Sequence, residues 1–312
     1  MTVDQASWST AGIDGRLLRY FVVLAEELHF TRAAQHLYVS QPALSNQIKR
    51  LEGHLGVPVF VRTTRGVSLS PAGEAFLPHA RSALSALQTG VAQAVAAAGT
   101  LAPLRVDVID AALSTPRLIL SRLRAAHPEI PLRITTLGSA GQRQRILDGD
   151  LDVGFCGQDA ASGQNIEHDV IRNEPIDVVM PAEHMLAHAD EIPLAALAND
   201  VFYMPHDGVA PEWNEFIRRA CHAAGFEPRR HPTATDGADT GLDVVREGSC
   251  ITLGLRSTPH SDGTVARPLC QPALRYPWAM IWRQDHHNAA VDHIRHAAAE
   301  TARSCLWLGN NP

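Results

Sequence analysis

Residues 40–51 place polar and basic side chains where they could meet a polyanion. At the α-helical period, Leu44, Ile48, Leu51 and Leu55 fall in one stripe, which a helix must bury. Pro42, Asn46 and Lys49 lie opposite, flanked by Ser45 and Arg50. Side chains on the first turns can hydrogen-bond base edges, while Lys49 and Arg50, one turn later, lie where phosphates would be. Taken alone, such a helix would equally suit the surface of any small helical bundle.

Other chemistry-bearing sets are sparser. There are 16 histidines, yet His184-x-x-x-His188, His286-His287 and His293-x-x-His296 complete no zinc-like set with Cys or carboxylates, so no metal is expected. The five cysteines, Cys156, Cys221, Cys250, Cys270 and Cys305, form no Cys-x-x-Cys pair. They read as reduced thiols, with a pair meeting in the fold to sense oxidant as the alternative. No Gly-x-Ser-x-Gly elbow, Gly-rich phosphate loop or metalloprotease motif is present, so an enzyme is not expected.

The elements that must hold the polar face follow from pattern. Apolar residues recur helically over residues 15–28, and Thr31 is placed as the cap of a short helix over 32–37. Ser40 caps the third helix, whose first turn tolerates Pro42 because a proline needs no N–H there. Residues 57–61 and 67–69 are expected to be strands around a turn carrying Arg62 and Arg65. Guanidinium groups at such a tip suit a narrow minor groove. Net charge is −6 over 312 residues, but residues 1–73 are +2 and the remainder −8. That split permits nucleic-acid binding by the N-terminal part without demonstrating it.

The segment over residues 18–73 closely resembles the LysR-type regulator signature. The matching elements are FTRAA, SQPALS, QI-x-x-LE, LG-x-x-x-F-x-R and L-S-P-A-G. The resemblance implies a winged helix-turn-helix that binds double-stranded DNA at an interrupted inverted repeat. Gln41, Pro42, Ser45 and Asn46 would face the major groove, with Arg65 at the wing tip and Thr31, Lys49, Arg50 and Arg62 also placed at the DNA. Asn46 stands where the family often carries Arg, and an amide there favours adenine over guanine.

From Pro71 to Ala98 an Ala-rich helix carries an apolar stripe through Phe76, Leu77, Ala80, Leu84, Leu87 and Val91. A partner's identical helix is the expected cover, giving a homodimer or homotetramer. Pro78 predicts a kink or a late start. Beyond Pro103, strands and helices alternate, which argues for a mainly parallel α/β sheet in two lobes. GDLDVGF and PAEHMLA resemble LysR landmarks, and the lobes resemble the type 2 periplasmic binding-protein fold. A small organic effector, an anion, is expected between them, on Ser114 and Thr115 opening one helix, Ser139 opening the next, and His206 and Asp207 across the cleft. Plain N-capping is the competing role for the hydroxyls. A free solute-binding protein is the main alternative for these lobes.

The expected organisation is a disordered arm (1–13), a DNA-binding domain (14–73), a dimerisation helix (74–99), a hinge (100–103) and an effector domain (104–305). Lobe I would comprise about 104–174 and 271–305, and lobe II about 175–270. The polar N-terminus does not read as a secretory signal and no apolar run approaches the roughly 20 residues a membrane span needs, so a cytoplasmic location is expected, with RNA polymerase as a further partner.

Overall fold

The computed structural model describes residues 12–308 apart from 38, 64–65, 98–101, 236, 259–261 and 287. Most of the expected arm, the helix stop at Gly99 and the hinge residues Thr100 and Leu101 lie outside the described residues. The chain divides into two compact units, Met1–Ala94 and Val95–Pro312.

In the first unit, α1 (Gly15–Glu27), α2 (Phe30–His36) and α3 (Gln41–Leu55) precede a hairpin of β1 (Phe60–Thr63) and β2 (Gly66–Leu69). The long helix α4 (Pro71–Ala97) follows. Asp14 caps α1 by accepting from the Leu17 amide at 2.8 Å. Its apolar face, led by Leu17, Phe21 and Leu24, packs on Leu44, Ile48 and Leu51 of α3 and on Phe60. Each such side chain contributes about 1.5–3 kcal/mol on burial.

One expectation is corrected here, and another, a kink or a late start at Pro78, loses its second alternative. Thr31 does not cap α2. The extended residue His29 does, its Nδ1 accepting from the Arg32 amide, so α2 starts earlier and Thr31 is exposed in its first turn. Helix α4 shows no late start at Pro78. Its first turn is fixed by Ser70, whose Oγ donates to the Pro58 carbonyl at 2.7 Å and accepts from the Gly73 amide at 3.1 Å. Gly73 has no substitute, because a Cβ there would lie 2.1 Å from the Val59 carbonyl oxygen.

The second unit begins with β3 (Leu104–Asp107), α5 (Ser114–Ala126), β4 (Leu132–Thr135), α6 (Gln142–Leu147), β5 (Val153–Gly157) and the single turn α7 (Gln158–Ala161). Then come β6 (Ile166–Pro181), β7 (Ile192–Pro193), β8 (Val201–Phe202), α8 (Pro211–Ala223), β9 (Arg229–Arg230) and α9 (Ala238–Arg246). The last elements are β10 (Thr252–Leu255), β11 (Thr264–Cys270), β12 (Arg275–Arg283) and α10 (Ala290–Ser304). Strands run β4-β3-β5-β12-β6-β11-β7, with β10 also on β6, while β8 and β9 pair apart.

This sheet is mixed rather than mainly parallel. Strand β3 is parallel to β4 and β5, but β12 runs antiparallel to both β5 and β6, and β10 and β11 run antiparallel to β6. The physical reason is β6, a strand of 16 residues that pairs with β12 along its first part and with β10 and β11 along its second. Two α/β halves therefore share one sheet through β6 and β12, around a core holding Trp278, Trp282, Phe155 and Phe202.

Candidate functional site

Ser40 has extended backbone and accepts from the Ala43 amide at 3.3 Å, which fixes where α3 begins. Leu44, Ile48 and Leu51 are fully buried, so the helix cannot rotate without exposing them. Gln41, Pro42, Asn46, Lys49 and Arg50 are consequently exposed, and Ser45 is half-buried. The polar face expected from periodicity is present as one surface.

Arg62 sits differently from the expectation. It lies in β1 and not at the turn, and its guanidinium folds back over the Phe30 ring, 4.4 Å from the centroid. Its Nη1 donates to Ser45 Oγ at 3.2 Å. A planar cation stacked on an aromatic ring is attracted to its face, so Arg62 links α2, α3 and the hairpin. Arg65 lies outside the described residues.

The α4 stripe divides. Phe76, Leu77, Ala80 and Leu84 pack on the core of the first unit, whereas Leu87 and Val91 are 59% and 57% exposed.

In the second unit the expected effector residues are engaged with neighbouring groups of the protein. Ser114 Oγ donates to the Ser257 carbonyl at 3.1 Å and also contacts the Ser257 hydroxyl. Thr115 Oγ1 donates to Glu174 Oε2 at 3.2 Å and accepts from Arg172 Nη1 at 2.8 Å. Ser139 Oγ donates to the Val209 carbonyl at 3.2 Å, while Gly141, not Ser139, stands at the N-cap of α6. His206 Nδ1 accepts from the Gly208 amide at 3.0 Å. The partners of Asp207 are Asn214 and Arg230, not His206. Asn214 Nδ2 donates to it at 2.5 Å and Arg230 Nη1 at 2.9 Å, and these two hold its carboxyl below the usual carboxylate range.

A cavity of about 150 Å³ lies beside these residues, and none of the five lines it. Tyr203, Trp213, Tyr276 and Trp278 give it aromatic walls, and Leu113, Val209, Leu242 and Leu253 aliphatic ones. Trp213 meets Tyr276 edge-on at 5.0 Å, and Tyr276 meets Trp278 edge-on at 5.4 Å. Gly241 lets the Tyr203 ring lie against α9, since a Cβ there would be 2.5 Å from Tyr203 Cε1. Asp110 and Glu212 also line the space, and burial raises Glu212 above the usual carboxylate range, with the nearby Ser139 hydroxyl opposing the shift.

Several positioning residues escaped the sequence reading. Glu52 Oε1 accepts the Val59 amide at 3.0 Å and so ties α3 to the hairpin. Asp107, fully buried at the end of β3, accepts from Gln142 Nε2 at 3.1 Å, the Leu137 amide at 3.0 Å and Thr135 Oγ1 at 2.9 Å. Only the acidic half of the LE pair hinted at the first, and a lone Asp ending an apolar strand at the second. His184 binds Asp200 at 3.1 Å and caps its own turn. Among the described residues no group of three His, Cys, Asp or Glu side chains could hold a metal ion, and no helix is long and apolar enough to cross a membrane. Cys156, Cys221 and Cys250 are buried, and burial pushes the Cys156 and Cys221 thiols up to about 12.

Comparison with known proteins matches residues 16–74 to the family model "Bacterial regulatory helix-turn-helix protein, lysR family" and residues 97–303 to "LysR substrate binding domain". The Hca operon transcriptional activator HcaR of Escherichia coli is 37% identical over 279 residues, covering 88% of this chain and 94% of HcaR. A full-length OxyR variant of Pseudomonas aeruginosa superposes with a TM-score of 0.57 at 26% identity, over 92% of this chain and 99% of that one. The LysR family regulator CbnR shares the fold, with a TM-score of 0.65 at 24% identity over 93% and 99% of the two chains.

Proposed function

The chain belongs to the LysR family of bacterial helix-turn-helix regulators, and on that premise we propose how it reads DNA and where its effector acts. As in its relatives, it is a DNA-binding transcription regulator with a small-molecule effector domain, and not an enzyme. The first turns of α3 enter the major groove with Gln41, Pro42, Ser45 and Asn46 on the base edges. Lys49 and Arg50 bind phosphate, Arg65 enters the adjacent minor groove, and Thr31 and Arg62 border the contact. The observation that carries this reading is the capped start of α3, whose opposite face is fully buried and whose polar face is exposed.

Two copies pair through the exposed Leu87 and Val91 stretch of α4, so the site on double-stranded DNA is an interrupted inverted repeat read by a homodimer, or by a homotetramer built from two. The effector occupies the aromatic cavity of the second unit, and the regulator works in the cytoplasm upon RNA polymerase. Selection of binding sites from a random duplex pool tests the DNA reading. An enriched inverted repeat, bound with a salt slope of about −0.9 per phosphate contact, is expected. A pool that stays random after selection sinks it.

A further inference from the structure

Charge, more than shape, limits what the cavity can hold. Helix N-termini attract anions because their first amides and the helix dipole point outward. Here, each helix start at the cavity already has a carboxylate. Glu212 occupies the first turn of α8. Asp110, which accepts from the Ala112 amide at 2.8 Å, comes within 3.8 Å of a Cβ placed on Gly237, the N-cap of α9. Glu174 takes the Thr115 hydroxyl at the start of α5 and is fully buried. Among the described residues lining the cavity there is no Lys, Arg or His.

We infer that the effector is a single-ring apolar molecule that offers a hydrogen-bond donor to Glu212 and carries no acidic group. This rests on the cavity being the effector site. Its volume matches a single aromatic ring, since an apolar cavity near 150 Å³ is known to take up benzene. The edge-on rings of Trp213, Tyr276 and Trp278 supply the complementary surface. Thr252 Oγ1 donates to the Tyr203 carbonyl at 3.1 Å and Trp278 Nε1 to Glu174 at 2.9 Å, so these donors are committed elsewhere. The carboxylates on the wall, Glu212 and Asp110, can accept a new bond, and Glu212 is the one packed beside the Trp213 and Tyr276 rings. A ligand carboxylate would instead lie beside the Glu212 and Asp110 carboxyls in a mainly apolar space with no cation on its described walls, where like charges repel. The organic anion expected from the helix starts alone is thus disfavoured by the residues that face them.

Three probes of similar size separate the outcomes on the full-length chain: benzyl alcohol, benzylamine and benzoate. Calorimetry gives affinity, and resonances of fluorine-labelled tryptophan at Trp213 and Trp278 locate binding. Benzyl alcohol and benzylamine should bind and shift both resonances, with benzoate at least about tenfold weaker. Glu212→Gln should narrow that gap. Benzoate binding as tightly as benzyl alcohol while shifting Trp213 and Trp278 would overturn the ligand class and leave the cavity reading standing. If no probe moves either resonance, the cavity reading falls and the inference with it. A gap unchanged in Glu212→Gln removes Glu212 as its cause.

Discussion

Asn46 and Lys49 stand one turn apart on the exposed face of α3 and should fail in different ways. A side-chain amide can pair with an adenine edge through two hydrogen bonds, so Asn46→Ala should cost about 1–3 kcal/mol at one base pair of each half-site. Its binding to random DNA should hardly change. Lys49→Ala should weaken specific and random DNA alike and reduce the salt slope by about one. Gel shifts on the selected site, its single-base variants and random duplex check both, and equal losses for Asn46→Ala on every duplex would remove it as a base reader. This face was legible in the sequence because helical periodicity alone separates Leu44, Ile48 and Leu51 from Asn46 and Lys49. Arg62 was not, because its seat over Phe30 and on Ser45 joins residues distant along the chain.

At the scale of elements, α4 divides along its length. Leu84 packs on the first unit's own core, while Leu87 and Val91 are left outward with nothing of that unit covering them fully. Leu87→Asp with Val91→Asp should therefore leave the unit folded and place charges in the paired seam, which is costly without partners. Dimers should be lost in sedimentation, and affinity for an inverted repeat should fall roughly hundredfold or more as the second half-site no longer adds. Leu84→Asp should instead unfold the unit. A double variant that sediments as an undiminished dimer moves the seam elsewhere. The stripe itself was readable from spacing, but its division was not, since the part facing α1 depends on the hairpin and on Gly73. Strands fared worse. Only residues 178–180 of β6 show an apolar run, because its first part alternates exposed polar residues such as Glu167 and Asp169. Strand β11 carries Arg267 and Pro268 and gives no strand pattern at all.

For the whole effector unit, the decisive fact is that its halves meet around one buried charge. Glu174 lies midway along β6, opposite Tyr276 of β12. Its carboxylate accepts from Trp278 Nε1 at 2.9 Å, the Ser257 amide at 3.0 Å and Thr115 Oγ1 at 3.2 Å, with Arg172 at 3.3 Å. Those donors come from α5, β6, β12 and the loop after β10, so one side chain ties together the elements on both sides of the cavity. No sequence pattern announces such a residue, because its partners are assembled only by the crossing strands. Removing one member of a buried pair leaves the other charged and poorly solvated, a loss of about 3–5 kcal/mol. Burial already lowers the Arg172 pKa, with Glu174 opposing that shift. Glu174→Ala should therefore lower the unfolding free energy of the effector unit by an amount of that order, read as a fall in its urea midpoint, while a Trp-free report on the first unit stays unchanged. Glu174→Gln, which keeps an acceptor, should lose less. A saturating ligand in the cavity should restore part of the loss, about 2.7 kcal/mol at a hundredfold excess over its Kd. A midpoint unmoved in Glu174→Ala would show that the shared sheet, and not this charge, holds the halves together.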